Sequence, residues 1–144
     1  MQYVDVKVHA NVATILMDRP RTRNALNPQL IEDLTTAFSD IYQEKRVASV
    51  VLTGSGDHFC SGMDLNVLSE IAQMPESTAL PEWLAIWRNL TELYEAMLRF
   101  PKPIVAAVDG SALGAGLGLA LAADLIVASN QATFGAIAVR RGLV

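Results

Sequence analysis

The residues best placed to do chemistry in this chain bring backbone groups, not reactive side chains. Between Pro103 and Phe134, Gly114, Gly116 and Gly118 alternate with alanine and leucine after an Asp109-Gly110 reversal. Each glycine in a helix costs about 1 kcal/mol against alanine, so a helical segment that keeps three of them needs its backbone approached closely by something. The start of such a helix also leaves N–H groups without internal partners, and these can point at an anion or at a carbonyl that becomes one. Leu113 to Gly116 is therefore the first candidate site. A second glycine turn, Phe59-Cys60-Ser61-Gly62-Met63-Asp64-Leu65, leads into a predicted helix over Asn66 to Gln73 and frees N–H groups in the same way. Two such donors aimed at one point form an oxyanion hole.

Two competing readings of the central stretch fail on spacing. The charge-free interval between Asp109 and Asp124 is too short for the ~20 residues of a membrane span. Gly114-Ala115-Gly116 begins like a dinucleotide fingerprint, but Leu119 stands where the third glycine belongs, and the acidic residue expected at a second strand end is missing. A third reading stays open: a buried helix whose small residues permit tight packing.

The elements that must position these turns follow in chain order. Tyr3 to Val8 and Val12 to Met17 predict an N-terminal hairpin around His9-Ala10-Asn11. Asp18 to Asn24 is a polar loop with three arginines. Asn27-Pro28 is a helix start, cap then first-turn proline, and Leu30, Ile31, Leu34, Ala37, Phe38, Ile41 and Tyr42 recur at helical spacing. Val47 to Thr53 predicts a short buried strand, so strand, helix and strand form a parallel α/β unit. Met74 to Pro81 reads as a breaker-rich connecting loop. Trp83, Ile86, Trp87, Leu90, Leu93, Tyr94, Met97 and Leu98 then predict a long amphipathic helix ending before Pro101, its aromatic stripe read as core or subunit contact, with a ligand-tunnel wall as the alternative for so broad an apolar face. In the central stretch, Ile104 to Val108 is a strand, Ser111 to Ala123 the glycine-rich helix and Leu125 to Ala128 a second strand.

Composition sets the outer bounds. The 144 residues are 51% hydrophobic with a net charge of −4, which predicts one domain, residues 1–144, with a real core. The basic residues are scattered apart from Arg19, Arg21, Arg23 and Arg140-Arg141, so no nucleic-acid footprint is present. The single cysteine, Cys60, excludes an internal disulfide and reads as a small core residue, with His58 beside it solvated. Neither His9 nor His58 sits at metal-ligand spacing, and the N-terminus lacks a signal-peptide pattern, so the expectation is a cytoplasmic protein without a metal site or membrane segment.

Taken together and in order, these motifs resemble the crotonase, or enoyl-CoA hydratase/isomerase, superfamily. The matching residues are Arg19-Pro20 with Asn24-Ala25-Leu26, then Phe59 to Leu65, then Lys102 to Gly110 running through Ala112-Leu113-Gly114-Ala115-Gly116 to Asp124, and Phe134-Gly135. The resemblance implies an α/β fold, a spiral of ββα units that binds an acyl-CoA thioester and holds its oxygen with two backbone N–H groups. By motif position these belong to Met63 and Ala115. Coenzyme A would lie near Arg21, Arg23, Ala25 and the backbone of Asp64, Leu65 and Asn66, with Ser61 and Gly114 from the matching turns; no cofactor beyond the CoA of the substrate is implied.

Two positions depart from the pattern. In hydratases of the family one glutamate follows the GxG turn by two residues, where this chain has Gly118; the second follows the Phe of Phe134-Gly135 by four, where it has Ala138. Glycine and alanine exchange no proton, so the usual dyad lacks both carboxylates. The resemblance also implies that members continue for roughly another hundred residues, with C-terminal helices that complete the acyl pocket and a homotrimer or hexamer interface. The first expectation is therefore an acyl-CoA enzyme with an unusual acid/base position, one beyond Val144 as in dehalogenases or thioester hydrolases included. The second is an acyl-CoA-binding or assembly protein that keeps the cradle without the carboxylates.

Overall fold

The computed structural model describes residues 1–142. β1 (Val4–His9) and β2 (Val12–Met17) form the expected antiparallel hairpin. A 3-10 turn, Pro20–Thr22, precedes α1 (Pro28–Gln43), where Asn27 accepts the Leu30 N–H at 2.8 Å and Pro28 opens the first turn. β3 (Ser49–Gly54), α2 (Leu65–Ala72), α3 (Glu76–Leu98) and β4 (Ile104–Val108) follow, then β5 (Ser111–Leu113), α4 (Ala115–Leu121), β6 (Leu125–Ala128), β7 (Thr133–Gly135) and a closing 3-10 turn, Ile137–Arg141.

A five-stranded sheet runs in the order β1-β2-β3-β4-β6, parallel at every step after the hairpin. Parallel neighbours need long crossovers. α1 supplies the first, α2 with α3 the second, and β5 with α4 the third. Alongside this sheet runs a second series of short parallel pairings: Leu26 with Met63, Cys60 with Ala112, and β5 with β7. Each turn of the chain thus gives one strand to the sheet and a short segment to the second series, the expected spiral of ββα units. Apolar residues from both sides close the core, among them Ile15, Leu26, Leu34, Leu52, Leu93 and Ile104, all fully buried. Lys102 helps fasten the layers, its Nζ donating to the Ile41 and Glu44 carbonyls at the end of α1 at 2.6 and 2.7 Å.

Three elements differ from expectation. The third strand is Ser49–Gly54, offset by a residue or two from Val47 to Thr53, while Val47 is buried just before it. Met74 to Pro81 is not a loop: α3 begins at Glu76 and carries Pro81 within it. The proline lies near the helix start and is exposed, and the buried stripe Ile86, Leu90, Leu93 and Met97 outweighs the one hydrogen bond it forgoes. Ser111 to Ala123 is not one helix, because Ser111–Leu113 pairs with β7 and Gly114, at φ +52°, turns the chain before α4 begins at Ala115. β6, at the sheet's edge, leaves Leu125 and Val127 exposed.

Candidate functional site

The two glycine turns meet. Gly62 adopts φ +98° and Gly114 φ +52°, backbone states that favour glycine. A β-carbon at Gly62 would lie 2.9 Å from the Leu113 carbonyl oxygen and 3.7 Å from the Ala115 nitrogen, so the turn after β3 rests directly against the turn that opens α4. Their register is fixed from both sides. Leu26 donates to the Gly62 carbonyl at 2.7 Å, Asp64 to the Leu26 carbonyl at 2.8 Å, and Leu113 to the Cys60 carbonyl at 3.0 Å. Among the described residues no acceptor takes the N–H of Met63 or of Ala115.

Both residues line a cavity of about 400 Å³. Arg23, Ala25, Ser61, Asp64, Leu65, Asn66, Gly114 and Ala138 line it too, so the fold brings together most of the residues singled out from the sequence. Arg21 and Gly118 are not brought to it: Arg21 is exposed on the 3-10 turn, and Gly118 packs against Tyr94 instead. Thr22, Leu68 and Ile137 complete the wall without having been expected there, while Leu113, from the candidate helix start, and Trp83 and Trp87, whose apolar face also allowed a ligand-tunnel wall, line it too. The tryptophans carried a signal, since Trp83 and Trp87 stand one turn apart on α3; they meet edge to face with ring centres 5.8 Å apart.

The charged residues of the site hold its walls. Arg19 donates to the Asp64 carboxylate at 2.9 Å and to the Ala25 carbonyl, and stacks over the Tyr3 ring at 4.9 Å. Asp64 also accepts the Asn66 N–H at 3.0 Å, capping α2. Its carboxylate is therefore occupied as a structural anchor. Asn24, fully buried at φ +53°, accepts the Arg19 N–H and donates to the Ser55 and His58 carbonyls at 2.9 and 2.7 Å. His58 is half-buried rather than freely solvated: its Nδ1 accepts the Ser111 N–H at 3.2 Å and lies 3.0 Å from the Ser111 hydroxyl. Cys60 is fully buried, and burial pushes its thiol up to about 12, so it stays protonated.

The three central glycines divide their work. Gly114 makes the turn beside the cavity, with open space where a side chain would stand. A β-carbon at Gly116 would strike the Cys60 carbonyl, and one at Gly118 would strike the Tyr94 hydroxyl and lie 2.7 Å from Tyr94 Cζ. Tyr94 in turn donates to the Ala115 carbonyl at 2.7 Å, and burial raises its phenol well above the usual range. Tight packing therefore accounts for Gly116 and Gly118, and the positive-φ turn for Gly114.

Among the described residues no group of His, Cys, Asp and Glu is arranged to hold a metal ion, and no helix is long and apolar enough to cross a membrane. The family model described as "Enoyl-CoA hydratase/isomerase" matches residues 7–144. A Bos taurus protein named "Enoyl-CoA hydratase domain-containing protein 2, mitochondrial" is 39% identical over 134 residues, 92% of this chain and 43% of that protein. The crystal structure of an enoyl-CoA hydratase from Shewanella pealeana superposes with a TM-score of 0.90 at 27% identity, covering 99% of this chain and 52% of its own. One from Polaromonas sp. gives 0.89 at 31% identity, covering 97% of this chain and 53% of its own. The chain thus spans about half the length of the relatives it matches. Its ββα spiral, its paired glycine turns and these likenesses place it in the enoyl-CoA hydratase/isomerase family of the crotonase superfamily.

Proposed function

We propose that this chain forms the thioester-binding part of an enoyl-CoA hydratase/isomerase-like enzyme, in which the N–H groups of Met63 and Ala115 hold the acyl-CoA carbonyl oxygen. The observation that carries the reading is the pair of unengaged donors on two turns in contact, both in the wall of one cavity. Donors fixed in advance at the point where charge develops stabilise an enolate or a tetrahedral oxyanion, and one such donor is worth about 3–4 kcal/mol of barrier. The acyl group lies toward Leu68, Trp83 and Trp87, and the CoA portion toward Arg23, Ala25 and the turn Asp64-Leu65-Asn66. Arg21 contributes at most an exposed charge at its outer edge. Coenzyme A enters as part of the substrate and no other cofactor takes part.

With glycine at 118 and alanine at 138, the acid/base group is not supplied from the positions that hydratases of the family use. Asp64, the one carboxylate among the described residues lining the cavity, is engaged by Arg19 and by the Asn66 N–H as a structural anchor. The whole protein assembles, on this reading, as a homotrimer or hexamer. The test is binding and turnover of crotonyl-CoA, with the thioester carbonyl stretch of the bound ligand read by difference infrared spectroscopy. The expected result is saturable binding with the stretch moved to lower frequency, followed by hydration or isomerisation. Binding without any carbonyl shift overturns the donor assignment, and a shift without turnover of any enoyl-CoA overturns the enzyme reading.

A further inference from the structure

From the contact between α3 and α4, we propose that Tyr94 is a positioning residue for the Ala115 donor, and that its ring closes position 118 to any side chain. This rests on the donor reading above. Tyr94 stands on α3, outside the cavity wall, and its hydroxyl donates to the carbonyl of Ala115, the first residue of α4, at 2.7 Å. Backbone bonds hold the turn on the strand side, Leu113 N–H to the Cys60 carbonyl at 3.0 Å and Gly114 N–H to the Gly135 carbonyl at 2.8 Å. Gly114 offers no side-chain cap, however, and α4 is only seven residues long, so Tyr94 is the side chain that fixes its first peptide. The phenol therefore pins the peptide plane that follows the donor nitrogen. The Ala115 N–H lies in the preceding peptide, joined to that plane at the Ala115 α-carbon. A shift of the pinned plane therefore displaces the α-carbon and with it the N–H, and misplacement by about 1 Å is enough to lose roughly a hundredfold in rate.

The same ring explains why residue 118 is glycine. A β-carbon there would overlap the Tyr94 hydroxyl and its Cζ, and because α3 is locked into the core by Leu90, Leu93 and Met97, the ring has no easy retreat. Tyr94 does not itself exchange protons with a ligand: its proton is committed to the Ala115 carbonyl, and burial keeps the phenol neutral. Glycine at 118 and tyrosine at 94 are thus one packing solution.

The experiment compares the parent chain, Tyr94→Phe and Gly118→Ala, each loaded with an enoyl-CoA carrying a ¹³C thioester carbonyl. The readouts are the carbonyl stretch, the dissociation constant and, where turnover is measured, kcat against KM. Tyr94→Phe keeps the ring and loses only the hydroxyl. It is expected to lose most of the carbonyl shift and about tenfold or more in kcat, with KM and dissociation constant changed by less than about threefold. Gly118→Ala attacks the same contact from the other side and is expected to lose the shift as well, with the methyl tolerated once Tyr94 is also made alanine. A parent chain that binds with no carbonyl shift overturns the donor reading itself. A parent shift kept in full by folded Tyr94→Phe or by Gly118→Ala overturns the role of Tyr94 alone.

Discussion

Replacing Ala115 by proline removes one hydrogen from the site and nothing that the helix needs. Ala115 is the first residue of α4, so its N–H has no acceptor within the helix, and among the described residues none outside it. Proline is favoured at a first helical position, where its fixed φ suits the turn and its missing N–H is already an orphan. The neighbouring turn brings no side chain against that nitrogen, because the residue beside it is Gly62. The Tyr94 bond to the Ala115 carbonyl survives, because that oxygen belongs to the next peptide. Stability is therefore expected to change by less than about 0.5 kcal/mol, a shift of ~2 °C or less in Tm.

The effect on a bound thioester is large by comparison. Loss of one of two fixed donors is expected to cost about 100- to 1,000-fold in kcat, or ~2.7–4 kcal/mol, and to remove a large part of the carbonyl shift. The assay pairs a thermal melt with infrared spectra of the ¹³C-labelled thioester, and Ala115→Gly serves as the control that alters the side chain but keeps the N–H. A proline variant that melts like the parent and polarises the carbonyl undiminished refutes the donor assignment. So does a glycine variant that loses the shift equally, since the side chain would then be responsible.

Three further outcomes follow from other contacts. Arg19→Ala strands the nearly buried Asp64 carboxylate, whose side chain is 8% exposed, and is expected to cost about 3–5 kcal/mol, read as a lower urea midpoint at unchanged slope. Asp33 is buried, which by itself raises its carboxyl; the Tyr3 N–H, the Gln29 amide and the Gln2 N–H, the two backbone donors at 2.6 Å, outweigh burial and hold it below the ordinary value. Its folded pKa thus lies below the unfolded one, so its contribution is complete above about pH 4 and fades as pH falls through the lowered value; Asp33→Asn is expected to flatten stability in that acid window. Cys60, with its thiol near 12, has only about one molecule in ten thousand as thiolate at pH 8, and is expected to resist a thiol-specific disulfide reagent until denaturant opens the core. Rapid labelling of the folded protein counts against that burial.

What the sequence carried, and what it did not, divides along the range of the interactions. α1 was legible because its cap, first-turn proline and buried stripe lie within one segment: Asn27, Pro28, then Leu30 through Ile41. The glycine turns were legible as turns, since positive φ at Gly62 and Gly114 is a local demand. Ser111–Leu113 was not legible as a strand, because it is made one by β7 and by the pairing of Ala112 with Cys60, partners 20 and more residues away. α3 likewise runs back through Pro81 to Glu76 because its far end is anchored, a fact no local proline rule contains. His58 read as solvated for the same reason, its partner being Ser111 at the start of the distant β5.

The site itself follows this division. The two glycine turns were readable along the chain, but their meeting in the wall of one cavity depends on contacts across the fold. Gly62 rests on Leu113, Gly116 on Cys60 and Gly118 on Tyr94, and in each pair the glycine's missing side chain is the space its partner uses. Read along the chain, Gly116 and Gly118 look like further backbone offered to a ligand. In the folded molecule only the turn at Gly114 faces the cavity, and the other two glycines let α4 settle against Cys60 and Tyr94 so that the turn is held still. The pattern is therefore less a set of ligand contacts than the condition for a short helix to settle with its first turn beside the cavity, with the Tyr94 contact as the part of that condition that no local spacing announces.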